Sequence, residues 1–145
     1  MFSLTEKEVG LISAQLLKGN VVFYQIDKKK IHHMPDDEDY FNYDLTEEEE
    51  DILDEIEENP DNFAEFTKME PAQEHQMMQD FIDRKVKEKV LAEDLVNALS
   101  KPKAATGFKF LIDDSKYKGE WYEYKNSKYL DWVKEQVDSF NYSED

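Results

Sequence analysis

The feature that most constrains the fold is a run near the C-terminus, Gly119 to Phe140, GEWYEYKNSKYLDWVKEQVDSF. It holds two tryptophans, three tyrosines and a phenylalanine, with lysines set among the rings. On a helix, at about 100° per residue, Trp121 and Trp132 lie almost one above the other. Tyr122, Tyr129, Val133 and Phe140 spread to one side of them and Tyr124 to the other, while Glu120, Glu123 and Lys134 take the opposite face. Aromatic residues bury large areas, so a helix with this stripe needs a body to pack against. Everything upstream is read as scaffold, charge or connection for it.

A chain of 145 residues suits one domain, and the reading divides it into a helix–hairpin–acidic helix–strand part over 1–70 and a helical part over 71–145. Thr5-Glu6-Lys7-Glu8 is a capping box, and Val9, Ile12 and Leu16 then share one face, which predicts a helix over about 6–18 ended by Gly19. Asn20 to Asp27 is β-branched and aromatic and reads as a strand. Lys28 to Lys30 make the turn, and Ile31 to Met34 return as far as Pro35. DDEDYFNY, 36–43, reads as a loop. Thr46 opens a second capping box with Glu49 and a helix ended by Asn59-Pro60; Asn62 to Met69 follows as a third strand. Helices are predicted over Pro71 to Lys85 and Glu88 to Ser100. Lys101-Pro102-Lys103 breaks the chain, a short helix restarts at Phe108, and the aromatic helix completes the order. The expected fold class is α+β: a small antiparallel sheet, hairpin plus a third strand, on a mainly helical body.

Charge is distributed unevenly. Of the net −17, residues 36–70 carry seventeen acids against Lys68 alone, whereas 1–35 is slightly basic and 71–145 nearly neutral. Such a field repels nucleic-acid phosphate and attracts basic partners. There are no cysteines, which removes disulfides and thiolate metal sites. The first residues lack the basic and apolar regions of a secretory signal, and no apolar run is long enough to cross a bilayer, so the expected location is the cytoplasm.

Three segments, MMQDFI from Met77, NALSKPKAATGFKFLID from Asn97 and EWYEYKNSKYLDWVKE from Glu120, resemble the bacterial Uncharacterised Protein Family 0158. Its pattern has an M-x-D-F-I helix, an F-x-x-F-K segment and a C-terminal aromatic motif closed by tryptophan. The hairpin and acidic helix are similar too, so the resemblance covers nearly the whole chain. Ala105 stands at the first aromatic of F-x-x-F-K, leaving Phe108 and Lys109 as the match, and His75 stands where an aromatic is common. The resemblance implies a fold unit and no particular reaction.

Two places could carry function. Lys125 falls inside the apolar stripe, where lysine is out of place by default. Either its stem runs along the rings to water or to an acid such as Asp80 or Asp113, or Trp121, Lys125, Tyr129 and Lys128, with Phe108 and Lys109, line a groove for a carboxylate, a phosphate or an acidic peptide. The second place is the acidic belt. Asp36, Asp37, Glu47, Glu48, Asp51, Glu55 and Glu58 form either a solvated face or a docking surface for a basic protein.

No calcium loop, zinc spacing, phosphate loop or nucleophile motif is present, and His32 and His33, adjacent on a strand, point to opposite faces. No catalytic residue, metal or cofactor is therefore assigned. The reading is a non-enzymatic interaction module with an acidic surface. A small hydrolase or transferase near Lys125 and His75 is one alternative, and an acidic mimic of nucleic acid that binds a basic protein is the other.

Overall fold

A computed structural model describes residues 2–35 and 46–144, with the side chains of the last two excepted. The chain forms α1 (Glu6–Leu17), β1 (Asn20–Gln25), β2 (Lys30–Pro35), α2 (Glu47–Glu58), β3 (Phe63–Phe66), α3 (Pro71–Lys85), α4 (Lys89–Leu99), α5 (Ala104–Asp113) and α6 (Lys118–Glu144). This is the expected α+β order. The elements gather into two compact units, Met1–Lys68 with Leu130–Asp145, and Met69–Tyr129. The aromatic helix α6 thus contributes its first part to one unit and its second to the other.

In the first unit the sheet order is β2-β1-β3, antiparallel throughout. Val22 pairs with His33 and Phe66, and Tyr24 with Ile31 and Ala64, so these residues share one face. That face is closed by aromatic stacking. Phe2 lies 5.5 Å from the Tyr24 ring, and Phe140 of α6 lies 5.9 Å from Phe66. The Tyr24 hydroxyl donates to Glu8 of α1 at 3.2 Å, and Val9, Ile12 and Leu16 of α1 are all buried, as their spacing predicts. On the other face Gln25 is buried, and its amide spans His32 of β2 (3.1 Å) and Glu55 of α2 (3.3 Å). A buried amide bonded at both ends has its desolvation cost offset by those bonds. Both capping boxes form as read: Thr5 with Glu8, and Thr46 with Glu49. The turn between β1 and β2 has no glycine, and Lys29 adopts the left-handed conformation there at φ 52°.

β3 is shorter than its sequence suggests. The ladder stops at Phe66 because the next backbone groups are taken by side chains of α6. The Thr67 carbonyl accepts from Trp132 Nε1 at 2.8 Å and from Gln136 Nε2, and the Thr67 N–H donates to Gln136 Oε1 at 3.1 Å.

In the second unit α3, α4, α5 and the start of α6 enclose a core of Met77, Met78, Phe81, Ile82, Leu95, Leu99, Phe108 and Ile112. Phe81 is fully enclosed, with Tyr117, Trp121 and Tyr124 around it at 6.4, 5.2 and 5.4 Å between ring centroids. α5 starts at Ala104, four residues before the predicted restart. Gly107 lies inside α5, where a Cβ would sit 3.3 Å from the Ala98 Cβ, so the glycine allows close approach of α5 to α4. No helix among the described residues is long and apolar enough to cross a membrane.

Candidate functional site

The six residues read as a groove are brought together only in part. Phe108 and Lys109 of α5 and Trp121 and Lys125 of α6 line a cleft of about 200 Å³, which Glu74, Met77 and Met78 of α3 close from the other side. Its walls are apolar. Trp121 meets Phe108 edge-on at 4.8 Å, and both methionines are buried. Ala105 and Thr106 complete the α5 wall, so the position of the missing aromatic opens on the cleft.

Tyr129 takes a different role. It is 1% exposed, its hydroxyl donates to Glu74 Oε1 at 2.6 Å, and the Met69 N–H donates to it at 3.4 Å. Burial, and then the bond to the Glu74 carboxylate, push its pKa well above that of a free tyrosine. Lys128 also lies outside the cleft lining; its Nζ sits 5.3 Å from the centre of the Tyr124 ring, a cation–π contact.

The expected ion pair of Lys125 with Asp80 or Asp113 does not form. Asp113 is occupied twice, by Lys109 Nζ at 2.7 Å and by the Tyr122 hydroxyl at 3.0 Å. The Lys109 ammonium holds the Asp113 carboxyl below the usual range, and Asp113 in turn raises the Lys109 ammonium. Asp80 accepts from Gln76 at 2.9 Å. Lys125 is half-buried and has no hydrogen-bond or ion-pair partner among the described residues. His75 is not delivered to it. Exposed on α3, His75 donates from Nε2 to the Leu99 carbonyl at 3.1 Å and lies outside the cleft lining.

The acidic belt is described from Thr46 onward; Asp36 and Asp37 lie outside the described residues. On α2, Glu47, Glu48, Asp51, Glu55 and Glu58 fall within an arc of about 100° along about 16 Å of helix. All five are exposed, and among the described residues none is paired with a lysine, arginine or histidine. Glu55 is partly spoken for by its bond from Gln25. Glu48 and Asp51 also line a cleft of about 480 Å³ with Lys30, His32 and His33 of β2. His32 titrates below the ordinary histidine value, first because of burial and then because of Lys30, with Glu55 opposing. Among the described residues no three His, Cys, Asp or Glu side chains converge as a metal site.

Sequence reasoning missed Glu74 and the two methionines as cleft residues, since they come from a helix some fifty residues away from Lys125. The Glu74–Tyr129 bond gives no local sequence signal. Residues 15–145 match the uncharacterised protein family UPF0158, and the chain belongs to that family. No curated protein and no solved structure matches it.

Proposed function

We propose that this protein is a non-enzymatic interaction module that docks a basic protein segment on the exposed face of α2. The observation that carries the reading is the set of carboxylates on α2 that no cation pairs with among the described residues. Nine of its twelve residues are acidic, and only Ile52, Leu53 and Ile56 supply an apolar stripe, each half-buried. A helix of this composition gains little from its own packing. Its first turn, Glu47 to Glu50, sits where the helix dipole favours negative charge. Like charges along the rest repel one another, and a cationic partner would relieve that repulsion. The cleft against β2 gives such a segment an edge to lie along, with Glu48 and Asp51 able to take lysine or arginine head groups.

The test is binding of a lysine- and arginine-rich peptide at low and at physiological salt, with the triple variant Glu48→Lys, Asp51→Lys, Glu58→Lys beside the wild type. The expected result is a salt-sensitive complex that the variant loses while keeping its helical circular dichroism. Equal binding by wild type and variant would remove the support for α2 as the docking face. If the partner is a nucleic-acid-binding protein, an oligonucleotide will compete with this chain for it, and the acidic face then acts as a mimic of phosphate.

A further inference from the structure

We propose that the cleft beside Lys125 binds a small zwitterion with an apolar side chain, the chemistry of an apolar α-amino acid. Its carboxylate would meet Lys125, its ammonium Glu74, and its side chain the wall of Met77, Met78, Phe108 and Trp121. This site is separate from the α2 face, and neither proposal depends on the other.

Charge placement is the first ground. Lys125 on α6 and Glu74 on α3 line the same small space, yet they form no ion pair. Tyr129, one helical turn beyond Lys125, bonds Glu74 Oε1 at 2.6 Å and so holds that carboxylate in place on the cleft lining. The second Glu74 oxygen has no partner among the described residues. Lys109 is already engaged by Asp113 at 2.7 Å, which leaves Lys125 as the cleft's unpaired cation among the described residues. Among the described residues the cleft therefore presents one unengaged positive and one half-engaged negative group that do not pair with each other. A ligand bearing only a carboxylate would leave Glu74 facing it, whereas a zwitterion satisfies both groups.

Size is the second ground. A cavity of roughly 150 Å³ takes benzene, so about 200 Å³ takes one ring or branched chain with its charged end at the mouth. Ligand pockets for larger molecules begin at about 300 Å³. The walls, two thioethers and two rings, suit an apolar or aromatic body.

The experiment uses the full chain carrying Trp132→Phe, which leaves Trp121 in the cleft wall as the single tryptophan reporter. L-phenylalanine, phenylacetate and phenethylamine are titrated by fluorescence and by calorimetry. L-phenylalanine is expected to saturate, and each analogue lacking one charge to bind at least about tenfold more weakly, in keeping with the loss of one charge-assisted hydrogen bond. Lys125→Met should abolish saturation, and so should Ala105→Leu, which fills the cleft without touching either charge. Both variants should keep the parent melting temperature. Three results would overturn the proposal. One is no saturable signal with L-phenylalanine in the millimolar range. Another is phenylacetate binding as tightly as the amino acid. The third is strong non-additivity between Lys125→Met and Glu74→Gln in ligand-free stability, which would mean that the two charges pair directly and shut the cleft.

Discussion

Replacing Phe81 measures how much of the second unit depends on the aromatic stripe of α6. Phe81 is 0% exposed and meets three rings, with Trp121 the nearest at 5.2 Å. Phe81→Ala removes a fully buried ring and leaves a cavity that rigid aromatic neighbours cannot close, so a cost of about 3–5 kcal/mol follows. Phe81→Leu keeps most of the volume and loses the ring–ring term. Pairs of this kind contribute about 0.5–1.5 kcal/mol each beyond area, and a total of about 1–3 kcal/mol is expected because leucine retains part of the contact. Domains of this size are stable by only about 5–15 kcal/mol, so the alanine variant loses a large share of its margin. The assay is urea unfolding followed by Trp121 fluorescence in the Trp132→Phe background. With a slope of about 2 kcal/mol per molar, the alanine change lowers the midpoint by about 1.5–2.5 M and the leucine change by about 0.5–1.5 M. A shift below about 0.5 M for Phe81→Ala would refute the claim that α6 is anchored in this unit through Phe81.

Other perturbations separate the remaining parts. The Tyr124 hydroxyl is buried with no hydrogen-bond partner among the described residues. Tyr124→Phe should therefore be neutral or stabilising by up to about 2 kcal/mol, and a loss above about 1 kcal/mol in the same urea assay would show that the hydroxyl is engaged. Thr46→Ala removes the side chain that accepts from the Glu49 N–H at 3.1 Å. It should cost about 1 kcal/mol, seen as reduced helical circular dichroism from α2, with Thr46→Asp restoring it.

His32 titrates below its unfolded value in the folded chain, so acidification protonates the unfolded state first. Its contribution to stability is complete above pH of about 6.5 and is lost progressively below it. Lys28, Lys30 and His33 deepen this loss and Glu55 moderates it. The midpoint difference between wild type and His32→Gln should therefore narrow or reverse in favour of the variant from pH 7.5 to 5.5, and a pH-independent difference would contradict the shift.

Much of the fold was legible because its signals are local. Both capping boxes, the apolar faces of α1 and α3, and the proline and asparagine stops depend on residues within a turn or two of each other. Long-range substitutions for local bonding were not legible. β3 ends at Phe66, where Trp132 and Gln136 claim the Thr67 backbone, and α5 already starts at Ala104, with Gly107 inside it against Ala98 of α4. The tryptophan stripe itself was read correctly as one face, yet it does two jobs. Trp121 is buried in the second unit, while Trp132 bonds β3's exit in the first. Periodicity gives the direction of a side chain and not the identity of what it meets. The same limit applies at the cleft: Lys125 stood out as a charge in an apolar stripe, but that Asp113 would be claimed by Lys109 and Tyr122 depended on tertiary packing.

The most direct test of the docking reading is the salt dependence of binding between this chain and a lysine- and arginine-rich peptide. Wild type should bind with an affinity that falls steeply as salt rises, and the Glu48→Lys, Asp51→Lys, Glu58→Lys variant should show neither the affinity nor the slope. Binding that is insensitive to salt, or unchanged in the variant, would contradict the assignment of α2 as the surface on which a basic partner docks.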